Sequence, residues 1–262
     1  MTTTTTTTIS GQRLADYQTV LFLAWQQLRR RHVNSVMGVL WAFGQSFVQA
    51  FVFMLVFTVI FPNPTDRFFR FLIAGLMPWN FMSAALNAAA HSLVTRREML
   101  ECTSISGFVF VLVDVLTEAI LFLTVFFTTL LIGAIFMRIT PATFAALPVA
   151  MLPMMVFVVG FAYAMAHLNA RMRDVGHLFS VGFPILFWIT PIAYHWDQVP
   201  ARVAPYLWFN PFVHLLAPIQ VAVHQARLDL PGVGRASCVA AVAVVVAVIV
   251  NRLIAKATVY YL

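Results

Sequence analysis

The chain alternates long apolar runs with short polar links. Apolar stretches fall at residues 35–61, 68–91, 108–137, 142–168, 177–195 and 235–254. About 20 apolar residues in a helix cross the roughly 30 Å of hydrocarbon in a bilayer. The pattern therefore predicts an all-α integral membrane protein with six transmembrane helices over residues 35–254. The links PNPTDR (62–67) and RITP (138–141) read as turns, while 92–107 and 169–176 are polar and charged.

Two segments break the alternation. In residues 11–34, Leu14, Tyr17, Leu21, Trp25 and Leu28 recur at three- and four-residue steps, and Arg29, Arg30 and Arg31 follow. That spacing marks one face of a helix, and the segment predicts an N-terminal amphipathic helix lying in the membrane interface. Between residues 197 and 226, Pro205, Pro211 and Pro218 interrupt an otherwise apolar run. Each proline removes a backbone donor and crowds the preceding turn. Broken helix at membrane depth survives where protein or a cavity covers it. The segment thus predicts two short re-entrant or interfacial helices before the last span. Residues 1–10, MTTTTTTTIS, lack both a basic start and an apolar core, and read as a disordered tail rather than a signal peptide. Residues 255–262 are expected to form a cytoplasmic C-terminus.

Composition supports this picture. The chain is 61% hydrophobic and only 10% charged, against roughly 25% charged residues in a soluble domain. The formal charge of +7 comes from 16 basic residues against nine acids. The arginines cluster between apolar runs, where they anchor a chain to anionic headgroups, so nucleic acid is not an expected partner. With the N-terminus inside, the inner segments carry Arg13, Arg29, Arg30, Arg31, Arg96, Arg97, Arg171, Arg173, Arg252 and Lys256. The outer ones carry Arg67, Arg70, Arg138, Arg202, Arg227 and Arg235. This bias places both termini in the cytoplasm. Cys102 and Cys238 then lie on opposite sides of the bilayer and should not pair.

No enzymatic chemistry is legible. A phosphate loop of the GxxxxGK[ST] kind needs a lysine after its glycines, and the sole lysine is Lys256 in NRLIAKAT. ATP and magnesium would belong to a partner chain. The histidines show no metal-ligand spacing, and no catalytic residues are expected. Asp114 and Glu118 stand one helical turn apart in the third span. Intramembrane acids point to function by default, but Asp114 is close to the cytoplasmic end, and a structural pair with an inner-loop arginine is the preferred reading over a proton relay. Trp41, Gln45 and Gln49 recur every four residues in the first span, as do Asn87 and His91 in the second. Such residues either join helices or line a hydrated path. Aromatics crowd the region from Phe183 to Phe212, including Phe187, Trp188, Tyr194 and Trp196. An interfacial belt explains some of them, but sugar rings have apolar faces that stack on aromatics, and so dense an exit suits carbohydrate.

The series RRRHVNSVMGVLWAFGQSF, FLIAGLMPWNFMSAAL, LNARMRDVGHLF, ITPIAYHWDQVP and LWFNPFVHLLAPIQ resembles the permease subunits of ATP-binding-cassette exporters for O-antigen, capsule and teichoic-acid chains. The resemblance implies a homodimer in the bacterial inner membrane, with one channel at the dimer interface. It also implies cytoplasmic ATPase subunits as partners, and a lipid-linked glycan as substrate. The loop at 92–107 would dock on the ATPase through Arg96, Arg97, Glu98 and Glu101, and the second inner loop would add Arg171, Arg173 and Asp174. The resemblance puts the entry helix at the cytoplasmic mouth, where Arg29, Arg30 and Arg31 would either fix topology as headgroup anchors or meet the lipid-linked pyrophosphate. Trp41, Gln45, Gln49, Phe187, Trp188, Tyr194 and Trp196 are candidates for the channel wall. The alternatives are a permease of similar topology for a drug or lipid, and a secondary transporter. The latter would put ionisable residues at mid-membrane and usually show an inverted repeat, which this sequence lacks.

Overall fold

A computed structural model describes residues 18–30, 44, 47–49, 51–53, 55–56, 65–102, 105–136 and 139–255. Every regular element among them is helical. Helix α1 covers 18–30. It is followed by α2 (Thr65–Thr95), α3 (Arg97–Cys102), α4 (Gly107–Phe136), α5 (Pro141–Arg171), α6 (Asp174–Ile189), α7 (Ala204–Leu207), α8 (Pro211–Gln225) and α9 (Leu230–Val250).

Four of the described helices are long and apolar enough to cross a membrane: Phe68–Thr95, Gly107–Ile135, Pro141–Arg171 and Leu230–Leu253. The first expected span lies largely outside the described residues. The fifth, expected to reach residue 195, ends at Ile189 and leaves α6 with 16 residues. The cause is local. Proline crowds the residue before it out of helical geometry, and Thr190, which precedes Pro191, is extended at φ −89°, ψ 133°.

Helices α2 and α5 form the centre. Helix α2 packs on α4, α5, α6 and α8, and α5 packs on α2, α4, α6, α8 and α9. Aromatic rings fill the junction of α2, α5, α6 and α8. Trp79 meets Phe212 edge-on at 5.3 Å, Phe187 at 5.9 Å and Phe183 at 6.0 Å, and Phe157 meets Phe212 at 5.8 Å. Edge-to-face pairs add about 0.5–1.5 kcal/mol beyond the area they bury.

The proline-broken segment resolves into a single turn, α7, and the 15-residue α8. Asn210 starts α8: its side chain accepts from the Phe212 amide at 3.0 Å and donates to Thr190 Oγ1 at 2.9 Å. This ties the end of α6 to the start of α8. Helix α8 carries Pro218 yet is covered, because it packs against α2, α5 and α9. Its far end turns at Ala226, whose φ of 54° is left-handed.

The amphipathic reading of residues 11–34 needs one adjustment. The face of α1 that packs on α4 is Val20 and Ala24, and Val109 and Val113 receive it; Leu28, a turn further on, is buried too. The bulkier Leu21, Phe22 and Trp25 are exposed. The inward contact is made by Val20 and Ala24, while Leu21, Phe22 and Trp25 face outward.

Candidate functional site

The end of the bundle that carries α3 is organised by one ion pair, its carboxylate buried and its guanidinium partly exposed. Asp114 on α4 is 4% exposed. Its two oxygens accept from the two terminal nitrogens of Arg96, each at 2.7 Å. Arg96 occupies the single residue between α2 and α3. Ser92 Oγ accepts from Arg96 at 2.7 Å. Gln27 on α1 completes the network: its amide donates to Asp114 Oδ1 at 2.8 Å, and its carbonyl accepts from Arg96 at 3.0 Å. Four residues thus join α1, α2, the α2–α3 turn and α4. A planar guanidinium presents two parallel donors, the geometry that two carboxylate oxygens require. The Arg96 side chain also lies over the Phe110 ring at 5.7 Å.

This arrangement matches the expected structural pairing of Asp114 with an inner-loop arginine. Neither Gln27 nor Ser92 was singled out in the sequence. Gln27 lies 87 residues from Asp114, and one glutamine in an amphipathic helix carries no periodic signal.

Helix α3 projects from this joint. None of its six residues is buried. Arg97 and Glu101 pair along it at 2.8 Å, and both are about half exposed. Glu98 is exposed too. The second charged link presents Arg171, Arg173 and Asp174 on the surface. It is held by Asn169, whose amide donates to Ala90 O at 2.9 Å and whose carbonyl accepts from the Gly176 amide at 2.7 Å. Both links are thus anchored to the last turns of α2.

A polar stripe runs along α2. Asn80, Ser83, Asn87 and His91 share one face, and all are half-buried or exposed. Asn80 donates to Gln49 Oε1 at 2.9 Å, and Asn87 donates to Ser83 O at 2.8 Å. A groove of about 320 Å³ between α2 and α4 is lined by Asn80, Ser83 and the half-buried Glu118. The contrast with the other outward faces is sharp. Helix α4 exposes Leu131, Ile132 and Ile135; α5 exposes Val149, Leu152 and Val156; α9 exposes Val242, Val245 and Ile249. Asn80 and Ser83 extend the spacing of Asn87 and His91 by further turns, so that continuation was readable in the sequence.

The predicted aromatic group separates. Phe187 is in the core beside Trp79. Trp188 is exposed and Tyr194 half-buried, its hydroxyl donating to Ile189 O at 3.0 Å. Trp196 meets Trp208 edge-on at 6.0 Å. Arg29 and Arg30 are exposed on α1. Arg31, Trp41 and Gln45 lie outside the described residues.

The described residues thus form a helical bundle with membrane-length helices and two charged links anchored at one end. Residues 18–223 match the family described as ABC-2 type transporter. The chain belongs to this family. It is a membrane permease and not an enzyme. This ABC-2 permease is similar to the O-antigen export system permease protein RfbA of Myxococcus xanthus, at 26% identity over 220 residues, or 83% of this chain and 85% of that protein. It is also similar to two proteins of that name from Klebsiella pneumoniae. One is 24% identical over 194 residues and the other 22% over 196, each covering 73% of this chain and 74% of the relative. Cys102 and Cys238 are both free in the ABC-2 permease.

Proposed function

We propose that this permease exports a lipid-linked polysaccharide of the O-antigen type across the bacterial inner membrane, as a homodimer with cytoplasmic ATPase subunits that bind ATP and magnesium. The observation that carries the reading is the polar stripe on α2. A row of Asn80, Ser83, Asn87 and His91 beside Glu118, half-buried to exposed and joined to Gln49 through Asn80, is costly wherever it meets hydrocarbon. The apolar outward faces of α4, α5 and α9 have no such cost. Beyond the Asn80–Gln49 contact the stripe suits water or a second copy, and a hydrated wall shared between two copies meets both needs. The relatives' names supply the cargo.

In this reading the chain has six spans with both termini cytoplasmic, and α7 and α8 form the outer re-entrant segment. Helix α3 docks on the ATPase, supported by its exposure and by its charges at Arg97, Glu98 and Glu101. Arg96 passes the motion inward through Asp114 to α1 and α4, and Arg171, Arg173 and Asp174 provide a second contact. Arg29, Arg30 and Arg31 meet the pyrophosphate of the carrier, since arginine offers a planar fork of donors to phosphate oxygens. Gln49, Trp188, Tyr194 and Trp196, with Trp41 and Gln45, belong to the path or its outer rim.

The test is surface glycan in a strain lacking this chain, complemented with variants. Wild type restores it. Asn80→Leu with Asn87→Leu restores little while the protein inserts normally. Glu98→Arg with Glu101→Arg leaves insertion intact and uncouples hydrolysis from export. Unchanged surface glycan in the deletion strain overturns the reading.

A further inference from the structure

At the end of the bundle opposite α3, a cavity of about 380 Å³ opens among the first turns of α2, the segment after α6, and helices α8 and α9. Its walls combine two kinds of surface. Trp196 and Trp208 stand at its rim, both more than a third exposed. Deeper, His195 lies flat on Phe71 at 4.0 Å and faces His224 at 5.6 Å. Arg235 reaches in from α9, its guanidinium 5.4 Å from the Trp208 ring, and Asp197 also lines the cavity. Two hydrogen bonds brace the walls: a ring nitrogen of His214 lies 2.8 Å from Trp208 O, and the buried Gln220 donates to Pro191 O at 3.0 Å.

The chemistry narrows the occupant. The histidines do not form a metal site, because among the described residues no three His, Cys, Asp or Glu side chains converge on one point. A wholly apolar guest would strip water from imidazoles, a carboxylate and a guanidinium without replacing their hydrogen bonds. An anion finds little excess positive charge, since Asp197 lines the same cavity and Asp229 lies 3.9 Å from Arg235. A neutral sugar ring fits both surfaces. Its C–H face stacks on an indole, and its hydroxyls bond to planar groups that both donate and accept. The volume is near the lower end of the roughly 300–1,000 Å³ range of small-molecule pockets, which suits one ring rather than a stretch of chain.

We propose that this cavity is a saccharide subsite, built by Trp196, Trp208, His195, Asp197 and Arg235, that holds one neutral sugar residue of the exported chain as it leaves the permease. The assignment rests on the reading of this protein as a glycan exporter. A subsite at the far end retains the emerging chain between strokes of the ATPase and so opposes back-slippage.

The experiment uses whole cells with the intact transporter. A photoreactive benzoylphenylalanine replaces Trp208 in one strain and Ile135, on the outward face of α4, in another. Irradiation is expected to give a glycan adduct, removed by periodate, at position 208 and none at 135. In parallel, Trp196→Ala with Trp208→Ala is expected to lower the export rate at least fivefold, and Trp196→Phe with Trp208→Phe to recover half or more. If the alanine pair fails to assemble with the ATPase, the adduct and the phenylalanine pair decide. A periodate-resistant adduct, no adduct at 208, or wild-type export by the alanine pair overturns the subsite. Loss of surface glycan in the deletion strain with any of these results leaves the exporter reading intact. Unchanged glycan on deletion removes both.

Discussion

Arg96 and Asp114 are joined by two parallel contacts of 2.7 Å, and the carboxylate is almost wholly buried. Removing one member of such a pair strands the other's charge in a low-dielectric site, which costs about 3–5 kcal/mol. Arg96→Met or Asp114→Leu should therefore lower the melting temperature of the detergent-solubilised protein markedly, while the double change recovers much of the loss. The exposed Arg97–Glu101 pair is the control. An i,i+4 surface pair contributes about 0.3–0.5 kcal/mol, so Glu101→Ala should leave the melt nearly unchanged.

The contact of α5 with α9 depends on Gly160. A Cβ there would lie 3.1 Å from the backbone of Ala243 and Val244. Backbone in a helix cannot swing aside as a flexible side chain can, and overpacking costs about 1–3 kcal/mol. Gly160→Val should reduce both yield and melting temperature. Gly182, on α6, has nothing within 4 Å of such a Cβ, and Gly182→Ala should be neutral or slightly stabilising because alanine favours helix by up to about 1 kcal/mol.

Ala226 ends α8 in a left-handed conformation. Such a backbone costs an L-residue roughly 1–2 kcal/mol, part of which glycine gives back through its freer unfolded chain. Ala226→Gly is expected to raise stability by about 1 kcal/mol or less, and Ala226→Val to lower it. Thermal melts of the two variants, run side by side, should move in opposite directions from wild type.

Burial lowers the pKa of His195 from its ordinary 6.5, partly opposed by the nearby Asp197 carboxylate. On acidification the unfolded chain takes up this proton first. Stability should therefore fall as pH drops below about 6.5 and level off once the folded protein is protonated too. His195→Phe keeps a ring against Phe71 and removes the titration. Melts between pH 7.5 and pH 5.5 should show a smaller loss for that variant than for wild type.

Much of the bundle was legible because membrane-length apolar runs have few alternatives. The spans expected at 108–137 and 142–168 are the helices Gly107–Phe136 and Pro141–Arg171. Proline explains both what was readable and what was missed. Three prolines marked 197–226 as broken helix, yet the effect of Pro191 on the end of α6 passed unnoticed within an apolar run. Partners across the fold were harder to read. Asp114 announced itself as an acid in an apolar helix, whereas Gln27 did not, because its role exists only once α1 lies on α4. The aromatic group read as one feature from its density in sequence, but helix geometry turns Phe187 into the core and Trp196 toward a cavity.

Helix α8 has a bearing on how the protein is made. It packs against α2, α5 and α9, and the last of these follows it in the chain. During synthesis, α8 is complete while one of its three walls is still inside the ribosome. Its proline-bearing backbone must therefore wait, partly uncovered, for α9 to be inserted. A truncation that spares every residue of α8 but removes α9 would leave a segment suited neither to lipid nor to water, and quality-control proteases would find it there. Insertion of α9 is thus also a checkpoint: only a chain translated through it covers α8 on all three sides.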